Sequence, residues 1–157
     1  MQNTLIDLLS NEHILCDVKA VDAFDAIHQL TAALVKTGHV MPGFAADVWT
    51  REQTFPTGLP TQPLAVAIPH ADPDHVNRSA VCIGILSSPV RFGQMGTDGS
   101  TILDAHLIFM LAIKEREKQV EMIQQLMMLI QTASLLKGLM KVKDPAQAMT
   151  LIHQILA

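Results

Sequence analysis

The chain reads as one α/β domain, a sandwich whose central mixed sheet of about five strands is covered by helices on both faces. Three observations predict it. Runs such as Leu64 to Ile68, Ala80 to Leu86 and Leu103 to Ile113 are apolar almost throughout, as in strands buried on two sides. Segments with helical spacing alternate with those runs, the pattern of a sheet layered between helices. The length of 157 residues suits a single core and leaves no room for a second substantial one, so the domain is taken as residues 1–157.

Each element has its own signal. Residues 13–18, His-Ile-Leu-Cys-Asp-Val, form a first short strand. Asp22 then caps a helix carrying Ile27, Leu30 and Leu34, and Gly38 stands where a C-terminal cap belongs. Pro42 and Gly43 open a second helix in which Phe44, Val48 and Arg51 follow i, i+4, i+7, so Arg51 continues its inward face; Pro56 and Gly58 close it. Ser88-Pro89 marks a turn, Val90-Arg91-Phe92 alternates like an edge strand, and Gly93 to Ser100 is a glycine-rich loop. From about Glu115 the period becomes helical, with Val120, Ile123, Met127 and Ile130 on one stripe and Leu126 and Leu129 beside it. Met122, Met127 and Met128 are read as core filling. Asp144-Pro145 with Gln147 starts a last helix through Leu151, Ile152 and Ile155.

Composition narrows the function classes. Hydrophobic residues make up 49% and charged residues 17%, far from the profile of disorder. The longest apolar run, Leu107 to Ile113, is much shorter than the roughly 20 residues that span a bilayer, so no membrane insertion is expected. Met1 to Leu9 holds no Lys or Arg and so lacks the basic start of a secretory signal, which points to the cytoplasm. The net charge of −4, without a basic cluster, argues against nucleic acid as a partner. Cys16 and Cys82 lie in apolar surroundings outside any CxxC pair and read as buried thiols.

In layered sheets, ligands collect beyond the carboxyl ends of strands, which directs attention to Pro69-His70-Ala71-Asp72-Pro73-Asp74-His75. A histidine after a rigid proline is held at the sheet rim with little backbone freedom. Neutral imidazole offers one lone-pair nitrogen as a nucleophile while a hydrogen bond to the other selects the tautomer, and such a group can accept phosphate. Transfer then needs donors aimed at the equatorial oxygens, for which Arg51 is the best-placed cation. The plain alternatives are a satisfied rim histidine, and for Arg51 an ion pair with Glu52 or Asp47. His106, inside a strand, reads first as packing. His70, Asp72, Asp74 and His75 also raise a metal-binding hydrolase, although Pro73 interrupts the run and no further cluster completes a coordination shell.

The segment Arg51-Glu52-Gln53-Thr54-Phe55-Pro56-Thr57-Gly58-Leu59, followed by Leu64-Ala65-Val66-Ala67-Ile68-Pro69-His70, resembles the RE…TG…IPH signature of fructose/mannitol-type IIA components of the bacterial phosphoenolpyruvate-dependent sugar phosphotransferase system, PTS EIIA type 2. Its Glu-x-x-Phe-Pro-Thr-Gly form and long arginine-to-histidine separation are most similar to the galactitol-type branch. The resemblance implies a cytoplasmic phosphoryl carrier that needs no cofactor. His70 would take phosphate from the phosphohistidine of HPr, on either ring nitrogen, and pass it to a cysteine of a IIB component serving a membrane IIC permease. It matches Arg51 to the arginine near that site. Thr57, Gly58 and Ala71 are then candidate phosphate-binding residues, though Thr57-Gly58 also fits a plain turn. Two departures stand out: Glu115-Arg116-Glu117-Lys118-Gln119 occupies the place of a second histidine in mannitol and fructose types, and Ala71 replaces a frequent glycine. A regulatory IIA protein remains the alternative role.

Overall fold

A computed structural model describes residues 4–156, so the first three residues of the Met1 to Leu9 segment lie outside it. Strands β1 (Ile14–Val18), β2 (Gly58–Leu59), β3 (Ala65–Ala67), β4 (Ala80–Gly93) and β5 (Ile102–Ala112) build one sheet in the order β1-β4-β5-β3-β2. β1 runs parallel to β4 and β3 parallel to β5, while the β4–β5 and β2–β3 pairs are antiparallel, so the sheet is mixed as expected. Helices α1 (Ala23–Lys36) and α2 (Phe44–Thr54) cover one face, bringing Ile27, Leu30, Phe44 and Val48 against Cys82, Ile108 and Met110. The other face is covered by α3 (Gln119–Ile130), α4 (Ala133–Leu139) and α5 (Pro145–Leu156), with Leu126, Leu136 and Ile152 over Ile83, Phe109 and Leu111. Alternate residues of β4 and β5 thus feed two separate cores, which is why their sequence shows no polar alternation. Each fully buried Leu, Ile or Phe contributes roughly 1.5–3 kcal/mol.

The helix ends follow their sequence signals. Asp22 accepts the Asp25 backbone N–H at 2.8 Å, and Gly38 follows α1 at φ +77°. At α5 the capping is reciprocal: Asp144 accepts the Gln147 N–H at 2.9 Å, while Gln147 Oε1 accepts the Lys143 N–H at 2.8 Å.

Four expectations need correction. Ser88-Pro89 makes no turn, because β4 continues through it with a register shift between Ile85 and Val90. β1 reaches only to Leu86, so Pro89 lies where β4 has β5 alone as its neighbour and its missing N–H costs no ladder bond. Thr57-Gly58 leads into β2 rather than a plain turn, and a Cβ on Gly58 would stand 2.6 Å from the Gly93 carbonyl oxygen, so no side chain fits. The buried stripe of α3 is Met122, Leu126, Leu129 and Ile130; Val120 is 65% exposed, and Met128 is exposed too. The helix carries two apolar stripes, and the one richer in leucine packs. Cys16 is only half-buried, whereas Cys82 is fully enclosed.

Candidate functional site

β3 ends at Ala67, and the chain continues as Ile68-Pro69-His70 in the same direction. The Ile68 N–H donates to the Thr57 carbonyl at 3.2 Å, and the Leu111 N–H donates to the Pro69 carbonyl at 3.1 Å. His70 therefore sits as a further rung beside Leu111 of β5. Its ring is 7% exposed, and Nδ1 lies 2.8 Å from the Ile68 carbonyl oxygen. A carbonyl can only accept, so Nδ1 carries the hydrogen and the lone pair of the neutral ring falls on Nε2. Burial holds the His70 pKa below the ordinary histidine value; the nearby Arg51 charge acts the same way, while the Ile68 carbonyl and Asp72 oppose it. The imidazole is neutral at neutral pH.

His70 lines a cavity of about 610 Å³ together with Arg51, Phe55, Thr57, Met95 and Ile123. Arg51 comes from the last turn of α2, half-buried, with its guanidinium carbon 5.2 Å from the centroid of the Phe55 ring. Its Nε is buried with no hydrogen-bond partner among the described residues, a donor left for an anion. Neither carboxylate expected as an alternative partner faces it: Asp47 pairs with His75 Nδ1, and Glu52 turns to Thr57. Arg51 also lines a second cavity of about 360 Å³ with Asp47, Ala71, Asp72 and Asp74.

The remaining candidates divide. Thr57 is buried at the cavity wall, but its N–H and its hydroxyl both donate to Glu52, at 2.8 and 2.7 Å, so neither donor is free for an anion in this arrangement. Gly58 lies outside the cavity lining and serves the close approach of Gly93. Ala71 is buried, and its carbonyl accepts the Gln119 side-chain amide at 3.0 Å. Arg116 reaches Asp72 at 3.3 Å, so the turn after β5 braces the segment following His70. His106 does not line the cavity; it stands where β5 breaks register with both β3 and β4, with Nδ1 buried and unpartnered. Among the described residues no group of three or more His, Cys, Asp or Glu side chains converges as a metal site. Arg116 lies on Asp72 and Asp74, and Asp47 on His75.

Glu52 is the residue that sequence reasoning missed. It is 7% exposed on the buried face of α2, and burial raises its carboxyl to about 7 against the opposing pull of the Thr57 hydroxyl and N–H. Phe44, Val48 and Glu52 stand at i, i+4, i+8. A carboxylate on that apolar stripe was the available signal.

A layered mixed sheet thus carries a neutral histidine at its rim and, lining the same cavity, an arginine whose Nε has no hydrogen-bond partner among the described residues. Residues 7–155 match the model of the family described as phosphoenolpyruvate-dependent sugar phosphotransferase system, EIIA 2, and the chain belongs to that family. It is 21% identical over 136 residues to the galactitol-specific EIIA component of Escherichia coli K12, covering 87% of this chain and 89% of that protein. It is 29% identical over 100 residues to the transcriptional regulator ManR of Bacillus subtilis; that match takes in 64% of this chain and spans only 14% of the longer relative. Among solved structures, the mannitol IIA enzyme of Escherichia coli in complex with phosphorylated IIB superposes with a TM-score of 0.75 at 25% identity, covering 93% of this chain and 97% of that one.

Proposed function

We propose that the chain, acting as one domain over residues 1–157, relays phosphate through Nε2 of His70. In the first step the Nε2 lone pair attacks the phosphorus of phosphohistidine on HPr. The new P–N bond forms as the old one breaks, and the HPr imidazole leaves with the electron pair. In the second step a cysteine thiolate of a IIB partner attacks the same phosphorus, and Nε2 recovers its lone pair. Arg51 holds the equatorial oxygens through both displacements, and the enclosed site strengthens that interaction. Both co-reactants are proteins, so no cofactor enters. The observation that carries this reading is the Nδ1 bond to the Ile68 carbonyl, which leaves the lone pair on Nε2 of a ring that lines one cavity with Arg51.

The rim supports docking by two proteins in succession. Phe55 is 60% exposed, and half-buried Met95 and Ile123 continue an apolar surface around the mouth. The solved complex with phosphorylated IIB supports the acceptor, and the galactitol-specific relative supports a galactitol-like sugar alcohol carried by a membrane IIC permease. No helix among the described residues is long and apolar enough to cross a membrane, which suits a cytoplasmic relay. Similarity to ManR favours a second reading, in which the same phosphohistidine regulates a partner instead of feeding transport. Incubation with phosphoenolpyruvate, enzyme I and HPr, followed by peptide mass mapping, tests the relay. One acid-labile phosphate on His70 is expected; a label that survives His70→Ala would overturn it. Passage of that phosphate to a IIB protein separates transport from regulation.

A further inference from the structure

We infer that Glu52 is a positioning residue for phosphorylation of His70, acting through a continuous chain of hydrogen bonds that ends on the imidazole. The inference rests on the relay proposed above. The Glu52 carboxylate accepts the Thr57 N–H at 2.8 Å and the Thr57 hydroxyl at 2.7 Å. The Thr57 carbonyl accepts the Ile68 N–H at 3.2 Å, and the Ile68 carbonyl accepts the His70 Nδ1–H at 2.8 Å. Four residues from α2, the approach to β2 and the end of β3 are thereby locked in register. The last link decides which ring nitrogen faces the cavity.

Two features mark the link as more than packing. A carboxylate buried to this degree is costly unless both oxygens are satisfied, and here a single residue satisfies both. Thr57 cannot move without stranding that carboxylate, and Ile68 cannot shift without losing Thr57. Protonation of Glu52 removes one acceptor and loosens the first link. The charged group that lines a cavity with Glu52 is Arg91 of β4, beside Trp49, Gln53 and Pro56, while Arg51 is its neighbour along α2 only. With the carboxyl raised to about 7 by burial, this loosening falls in the neutral range, whereas the lowered His70 ring titrates below the ordinary histidine value.

The test uses the full chain labelled with ¹⁵N-histidine. Ring-nitrogen NMR reads the His70 tautomer across the neutral range, and initial phosphate uptake is measured from HPr, enzyme I and phosphoenolpyruvate. In the unaltered protein the Nδ1–H tautomer dominates, and its signals move in two steps as pH falls, first with Glu52 and then with the ring itself. Glu52→Gln is expected to remove the first step, admit the second tautomer and slow uptake about tenfold, as loss of a hydrogen bond to a charged acceptor does. Thr57→Ser keeps both donors and should stay within about twofold, whereas Thr57→Val should slow uptake in the same direction as Glu52→Gln. Should Glu52→Gln not fold, the Thr57 pair carries the test. Unchanged uptake and unchanged ring signals in Glu52→Gln overturn the inference, as does a Thr57→Ser variant no better than Thr57→Val. If the unaltered chain takes up no phosphate on His70, the relay reading itself fails, and the ring signals still show whether Glu52 sets the tautomer.

Discussion

Two buried histidines, His70 and His13, differ in the features that the proposed relay asks of an imidazole. Both have pKa values lowered chiefly by burial, so both are neutral. His13 is 2% exposed and lies beneath the end of α1, where Nε2 meets the Thr37 hydroxyl at 2.7 Å. That hydroxyl also lies 2.8 Å from His39 Nδ1, and the two rings meet edge to face at 4.7 Å. One hydroxyl has one proton to give, and the Ala33 and Leu34 carbonyls also compete for it at 3.4 and 3.3 Å, so at least one of the two rings must donate to it. His70 instead faces a carbonyl, whose role is never in question, and its free nitrogen opens into a cavity. Burial made both rings neutral. On the proposed relay, an obligate acceptor and an open side are what make one of them the nucleophile.

The largest effect that can break this comparison is His70→Ala, which should abolish acid-labile phosphate uptake while circular dichroism shows a retained fold. His13→Ala should leave uptake unchanged and cost roughly 1–3 kcal/mol in denaturant unfolding, from a buried hydrogen bond and the space left behind. Loss of uptake in that variant would erase the distinction between the two rings. Arg51→Ala should slow uptake on the order of a hundredfold, the scale of removing one preorganised donor to a developing charge. An unchanged rate would remove Arg51 from the site. The smallest effect is on pH. A neutral buried histidine binds fewer protons folded than unfolded, so stability rises with pH between the lowered folded value and the unfolded value of about 6.5. Glu52, raised to about 7, pulls the other way, so the histidine contribution is read as a difference: acidification through that window should lower the melting temperature of the unaltered protein relative to that of His13→Gln. A gap between the unaltered protein and His13→Gln that stays constant across that window would contradict the burial of His13.

Where one physical signal dominated, the sequence was legible. The apolar runs of β3, β4 and β5 announced buried strands, and Asp22, Gly38 and the Asp144–Gln147 pair announced helix ends, because these depend on neighbouring residues alone. Arg51 and His70 were both named from chain position and meet at one cavity. The misses needed partners distant in the chain. Pro89 reads as a turn until β5 alone is seen beside it, and Val120 reads as core until Leu126 and Leu129 set the rotation of α3. The short helix α4, begun at Thr132 in extended backbone, carries too few turns to show a period. Glu52 was obscured by its neighbour, since an arginine beside a glutamate suggests an ion pair and the true partner is a threonine across a bend.

The Pro69–Leu111 hydrogen bond makes the backbone of His70 part of the sheet rather than of a loop. Such a residue has no hinge to swing on. On the proposed relay, the loaded and empty forms of this chain would therefore share one outline, and a visiting protein would have only the added anion by which to tell them apart. Departure after each exchange is then driven by where the negative charge resides, with no change of shape to release the grip.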